Sequence, residues 1–150
     1  MQANPERSYL LLGKNYTGKS HLAWALYRHA VYQERTTVAC LLRDLMADFR
    51  RAEVPEGDTV PTPRVTSAAL KRAKRPWFLM FQEFEKARPS EFASELLFDV
   101  LDTARDYGHQ IVITSNMQTK ELTAHWSRID KVYGESIMTR LQGCTEINFF

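Results

Sequence analysis

The sequence predicts an α/β fold: a mostly parallel sheet with helices on both faces. Three observations carry this. Short apolar runs alternate with stretches of helical periodicity along the 150 residues, the order that successive βαβ units require. The first run, residues 8–12, passes straight into Gly13-Lys14-Asn15-Tyr16-Thr17-Gly18-Lys19-Ser20 and then into a helical pattern. Strand, glycine loop and helix is the setting of a phosphate-binding loop. Later runs, above all residues 77–81, are continuously apolar, as in strands buried on both faces.

The elements follow in order. Residues 21–32 place Leu22, Leu26 and Ala30 at helical spacing with Val31 beside them. Residues 37–42 read as a second buried strand, and 43–52 as a helix with Leu45, Met46 and Phe49 on one side. Residues 54–63 hold Pro55, Gly57, Pro61 and Pro63, which exclude regular structure. A short helix over 67–74, capped by Thr66 or Ser67, ends at Arg75-Pro76. Residues 77–81 are the most apolar run and read as the central strand. Pro89-Ser90 opens a long helix with a buried stripe of Phe92, Leu96, Leu97, Val100, Leu101 and Ala104, stopped by Gly108. Residues 110–114 form a strand, 121–126 and 136–141 short helices, and 146–150 a last strand.

Composition narrows the classes. One domain over residues 1–150 fits the length, and 44% hydrophobic with 25% charged residues is a globular balance. A net charge of +2 argues for no particular partner. Cys40 and Cys144 are far apart, and the four histidines show no metal-ligand spacing, so a reducing, cytoplasmic setting is expected. No apolar run approaches a membrane span, and the polar start is no signal peptide. With about seven residues before the first strand and none after Phe150, neither an N-terminal partner-binding domain nor a helical lid is expected within the chain.

The loop fits G-x-x-x-x-G-K-[ST] without a mismatch. Its four fixed positions should meet by chance in roughly one chain in two hundred of this length. Gly13 and Gly18 let the backbone point several N–H groups inward. Lys19 brings an ammonium to the β/γ-phosphates, and Ser20 a hydroxyl to Mg²⁺. The helix that begins here adds its positive end. The candidate nucleotide contacts are therefore Gly13, Lys14, Asn15, Tyr16, Thr17, Gly18, Lys19, Ser20 and His21.

In open α/β sheets, ligands lie outside the carboxyl ends of the strands. After the central strand come Gln82-Glu83-Phe84-Glu85. A nucleotide hydrolase usually has an Asp first, supporting Mg²⁺, and a Glu second, orienting the attacking water. Glu83 fits the second role. Gln82 holds the first and brings no negative charge, so Mg²⁺ affinity and turnover should both fall while phosphate binding survives. The competing reading of Glu83 and Glu85 is a pair of plain surface carboxylates. The next strand ends in Thr114-Ser115-Asn116. The Asn116 amide is the candidate sensor of the γ-phosphate, or else a turn-forming Asn.

Gly13 to Ser20, Gln82-Glu83, Ile113-Thr114-Ser115-Asn116 and the stretch from Tyr133-Gly134-Glu135-Ser136 to Arg140-Leu141 together resemble the AAA+ ATPases of the DnaC/IstB type, bacterial helicase loaders and transposition helper ATPases. The similarity covers nearly the whole chain, and the Tyr133 to Leu141 stretch is what narrows it. The resemblance implies a three-layer, RecA-like P-loop fold with a five-stranded parallel sheet of order 5-1-4-3-2. It implies ATP and Mg²⁺ as ligands, a homo-oligomer in which Arg140 acts in trans on a neighbour's nucleotide, and a replicative helicase or transposase as partner. Arg128 is a weaker candidate for that arginine. Adenine contacts would fall at Pro5 through Ser8.

Lys71, Arg72, Lys74 and Arg75, with Arg50, Arg51 and Arg64 nearby in sequence, form a basic cluster. Single-stranded DNA and a solvated surface are its competing readings. Trp77 and Phe78 read as core. The leading function is ATP-dependent loading or helping in DNA replication or transposition. The alternative is a nucleotide-gated binding module that hydrolyses little, as Gln82 favours. A small-molecule kinase is a third reading, and the lack of an arginine-rich lid argues against it.

Overall fold

The computed structural model describes residues 7–53, 57, 60–88, 90–129 and 131–150. The elements are β1 (Tyr9–Leu12), α1 (Lys19–Tyr32), β2 (Thr37–Leu41), α2 (Leu42–Glu53), α3 (Ser67–Arg72), β3 (Phe78–Gln82), a 3₁₀ turn (Phe84–Lys86), α4 (Glu91–Asp106), β4 (Gln110–Ser115), α5 (Thr119–Ile129), α6 (Gly134–Arg140) and β5 (Thr145–Asn148). The strands pair in parallel throughout, in the order β2-β3-β4-β1-β5. Read from the other edge this is the expected 5-1-4-3-2.

Continuous apolar runs divide between two layers because successive side chains point to opposite faces. Leu10, Leu12, Leu79, Phe81, Ile111 and Ile113 pack under α2 through α6. Leu11, Phe78, Met80 and Val112 pack with Ala23 and Ala30 of α1, flanked by Leu22, Leu26 and Tyr27. The two small alanines let α1 lie close to the sheet. Val31, expected beside the buried stripe, is exposed for this reason.

Element ends shift where a specific bond decides. Leu42 was expected in the second strand but opens α2, since the ladder stops at the Leu41–Gln82 pair. Trp77 falls outside β3 because its N–H goes to His109 Nδ1 at 2.8 Å. That bond makes Nδ1 an acceptor, so the His109 proton sits on Nε2 and is donated to the Leu70 carbonyl at 2.9 Å, tying α3 to the sheet. Thr66 and Ser90 cap α3 and α4 through their hydroxyls. Phe92 and Leu96 are only half-buried; Ala93, Leu97, Val100, Leu101 and Ala104 form the buried face of α4. Gly134 opens α6 where a Cβ would collide with the Trp126 carbonyl, so only glycine lets α6 and α5 approach this closely. Much of the loop expected over 54–63, and Pro89, lie outside the described residues.

Asp48, 8% exposed on α2, is a polar node of the layer formed by α2 through α6. Its carboxylate accepts from Arg51 at 2.6 Å, from the Arg64 side chain at 2.6 and 3.1 Å, and from the Arg64 N–H. Burial pushes this carboxyl up, but the Arg64 hydrogen bonds and both guanidinium charges hold it below the usual 3.8. Its contribution to stability is therefore present above about pH 4 and lost as pH falls through the lowered value. Asp48→Asn is expected to cost about 1–3 kcal/mol at pH 7 and less at pH 3, because an uncharged partner leaves two arginines half-satisfied. Urea unfolding at the two pH values measures both.

Candidate nucleotide site

Gly13 follows β1 directly, and its N–H donates to the Ser115 carbonyl at 3.0 Å, which ties the loop to the end of β4. The loop turns back through two left-handed residues, Tyr16 (φ 63) and Gly18 (φ 92). Thr17 Oγ1 donates to the Lys14 carbonyl at 2.7 Å and closes the turn. Helix α1 begins at Lys19 with no side-chain cap on its first turn and no acidic residue there. Uncapped first-turn N–H groups and a positive helix end are what a phosphate requires. Lys14, Asn15, Tyr16, Gly18, Ser20 and His21 are exposed around this rim, Thr17 is half-buried, and Gly13 and Lys19 are buried.

Lys19 reaches back under the loop. Its Nζ donates to the carbonyls of Gly13 at 2.7 Å and Ser115 at 3.0 Å, and to Asn116 Oδ1 at 2.6 Å. Burial lowers its pKa, and the charges of Glu85 and then Glu83 oppose that shift. Lys19 and Asn116, 97 residues apart, thus share one hydrogen bond at the carboxyl end of the sheet.

Gln82 ends β3, level with Leu41 of the neighbouring strand. Glu83 takes a left-handed turn (φ 54, ψ 52), donates its N–H to Thr114 Oγ1 at 3.3 Å, and pairs with Lys86 at 3.0 Å. A charged residue held in this conformation is stored backbone strain beside the candidate site. Glu85 corrects the surface-carboxylate reading: it is 9% exposed. Its Oε1 accepts from Ser115 Oγ at 3.0 Å and the Asn116 N–H at 2.8 Å. A cleft of about 620 Å³ beside it is lined by Lys86, Arg88, His125, Arg128 and Ile129.

The other expected residues lie elsewhere. Arg140, at the end of α6, is 2.7 Å from Asp102 without hydrogen-bond alignment, and its guanidinium lies 4.9 Å over the Phe98 ring. With Arg7 and Arg105 it lines a pocket of about 280 Å³ at the amino ends of β1 and β4, opposite the phosphate loop. Lys71, Arg72, Lys74 and Arg75 are exposed just before β3, at that same amino end. Arg75 also donates to the Gln33 carbonyl at 2.9 Å, while Arg64 and Arg51 serve Asp48 and leave the basic cluster. Of the adenine candidates, Pro5 and Glu6 lie outside the described residues; Ser8 Oγ accepts the Ile111 N–H.

For a nucleotide the residues fit: a loop turned through two left-handed residues, an uncapped helix start and a buried ammonium lie together. For Mg²⁺ the chain offers the exposed Ser20 hydroxyl and the Gln82 amide, and no cluster of three acidic, His or Cys ligands occurs among the described residues. Both cysteines are free, and burial pushes each thiol up to about 11, so neither is a nucleophile at neutral pH. No described helix is long and apolar enough to cross a membrane.

Fold and loop together define an α/β fold of the P-loop AAA+ type. No protein-family model matches the chain, and no curated protein sequence does. Among solved structures it is similar to the DnaC helicase loader, at 18% identity and TM-score 0.67, over 98% of this chain and 81% of that one. DnaI aligns at 16% identity and TM-score 0.70 over 100% and 73%. AMPPCP-bound DnaA from Aquifex aeolicus aligns at 16% and 0.69 over 95% of this chain, which spans 40% of DnaA. At these identities the likeness is one of fold.

The positive φ of Tyr16 is what sequence pattern does not show: its ring is fully exposed on a left-handed backbone that a bulky side chain disfavours. Tyr16→Gly is expected to match or exceed wild-type stability by up to about 1 kcal/mol, strain relief offsetting the freer unfolded chain. Tyr16→Ala keeps the strain and gains nothing. Thermal unfolding checks the order of the two; a glycine variant less stable than the alanine one would refute the strain.

Proposed function

We propose that the chain is an ATP-binding AAA+ core acting as a helicase loader or transposition helper in the cytoplasm, hydrolysing ATP slowly where subunits meet. The observation that supports it best is the convergence on Lys19 of the Gly13 and Ser115 carbonyls and the Asn116 amide beneath an uncapped helix. Nucleotide phosphates would sit on the loop amides and Lys19, with Asn116 beside the γ-phosphate and Glu83 as the base that orients water. When bound with ATP, Mg²⁺ would neutralise phosphate charge, held by Ser20 and weakly by Gln82. DnaA bound to AMPPCP and single-stranded DNA is among the similar structures, which supports a nucleotide and single-stranded DNA as ligands. Lys71, Arg72, Lys74 and Arg75 are the proposed DNA contacts.

Gln82 favours a second reading, a nucleotide-gated switch that binds ATP and turns it over little. Turnover by the wild type and by Gln82→Asp, with Mg²⁺ and with or without single-stranded DNA, separates the two. Wild-type hydrolysis stimulated by DNA supports the loader. A silent wild type with an active Gln82→Asp variant supports the switch. No ATP binding by either protein removes both.

Arg140 stands at the far end of the sheet from its own chain's loop, so a role at the phosphates requires a neighbouring subunit. Arg140→Ala is then expected to lower oligomer-dependent turnover by about a thousandfold, leaving ATP affinity within about twofold. Mixing Arg140→Ala with Lys19→Ala should restore part of the activity, because each supplies what the other lacks. Equal loss of affinity and turnover, or no rescue on mixing, would remove the trans role.

A further inference from the structure

The 3₁₀ turn after β3 is fixed before Glu85 is reached. Phe84 is fully buried, its ring 4.9 Å from that of Trp126, and Trp126 Nε1 donates to the Phe84 carbonyl at 3.3 Å. This anchoring aims Glu85 inward at β4. One oxygen, Oε1, accepts two hydrogen bonds, from the Ser115 hydroxyl and the Asn116 N–H. Ser115 Oγ in turn accepts the Met117 N–H at 3.1 Å, so the chain leaving β4 is held at three successive residues. The second oxygen, Oε2, is buried with no hydrogen-bond partner among the described residues. A carboxylate left half-satisfied in the interior is unfavourable for folding. Its place is explained by what Oε1 holds.

We infer that Glu85 is a positioning residue for the nucleotide site: it clamps the Asn116 backbone so that the Asn116 amide stays over Lys19, where a γ-phosphate would be sensed. The inference rests on the ATP reading given above and adds to it a residue that never touches the nucleotide. Without the clamp, Asn116 follows a turn free to swing, and its amide loses its fixed distance to the γ-phosphate. Loop and Lys19 contacts to the other phosphates persist. ATP binding therefore weakens and ADP binding does not.

The test is the ratio of ADP to ATP dissociation constants in the presence of Mg²⁺. Glu85→Ala is expected to lower the preference for ATP by about tenfold, the worth of one to two lost hydrogen bonds. Glu85→Gln keeps an acceptor at Oε1 and should hold the ratio within about twofold. In an Asn116→Ala background, Glu85→Ala should change the ratio no further, since it acts through that amide. An unchanged ratio in Glu85→Ala overturns the inference, and so does an equal further loss in the Asn116→Ala background. A weakening of ATP and ADP alike marks a merely structural role and also overturns it. Should Glu85→Ala not fold, Glu85→Asp, which withdraws the oxygen by one methylene, carries the same comparison. Wild type that prefers ATP while the variants do not differ rejects the clamp alone; wild type that binds neither nucleotide rejects the ATP reading with it.

Discussion

A buried ammonium with three oxygen acceptors sets the terms for the rest of the molecule. Lys19 is drawn beneath the loop by the carbonyls of Gly13 and Ser115 and by the Asn116 amide. The Ser115 carbonyl is used twice, by Lys19 and by the Gly13 N–H, so both its lone pairs are occupied. This arrangement works only if β1 and β4 are neighbours with Leu12 opposite Ser115. A slip of one residue would turn that carbonyl away and send the apolar set of β4 to the wrong layer. Sheet register and charge burial are therefore one constraint.

The turn after β3 is a second support for the same point. Trp126 on α5 fixes Phe84, and Phe84 fixes where Glu85 and Glu83 can go. Glu83 pays the strain of a left-handed backbone and is paired outward with Lys86. Glu85 faces inward and supplies negative potential near Lys19 that Gln82, an amide, does not. The charge absent at Gln82, the last residue of β3, thus stands three residues later in the chain, hydrogen-bonded to the β4 end.

Much of this was legible in the sequence. Continuous apolar strands and a glycine loop are local patterns, so β1, β3, β4 and the phosphate loop follow from the residues alone, and the sheet order follows from the resemblance. What escaped was set by distant partners or by backbone angles. Glu85 reads as a solvated carboxylate until Ser115 and Asn116, 30 and 31 residues away, are brought against it. Arg64 and Arg51 read as part of a basic surface until Asp48 claims them. Tyr16 carries no mark of a positive φ in its side chain. Val31 was misplaced because helical spacing marks a stripe without saying that Ala23 and Ala30, the small residues, lie deepest in it.

Parallel strands also give the molecule a polarity. Every residue that follows a strand gathers at one end, and every residue that precedes one gathers at the other. The phosphate loop, Gln82, Glu83, Glu85 and Asn116 share the carboxyl end. Arg7, Arg105 and Arg140 share the amino end with the cluster that precedes β3. Even the four-residue β1 holds these ends about 13 Å apart, longer than an arginine side chain reaches across a packed sheet. A cation at the amino end could therefore meet phosphates only on another molecule, and Arg140 would have to exchange its Asp102 and Phe98 contacts to do so. Whether turnover depends on assembly is in this fold a question of geometry before it is one of affinity.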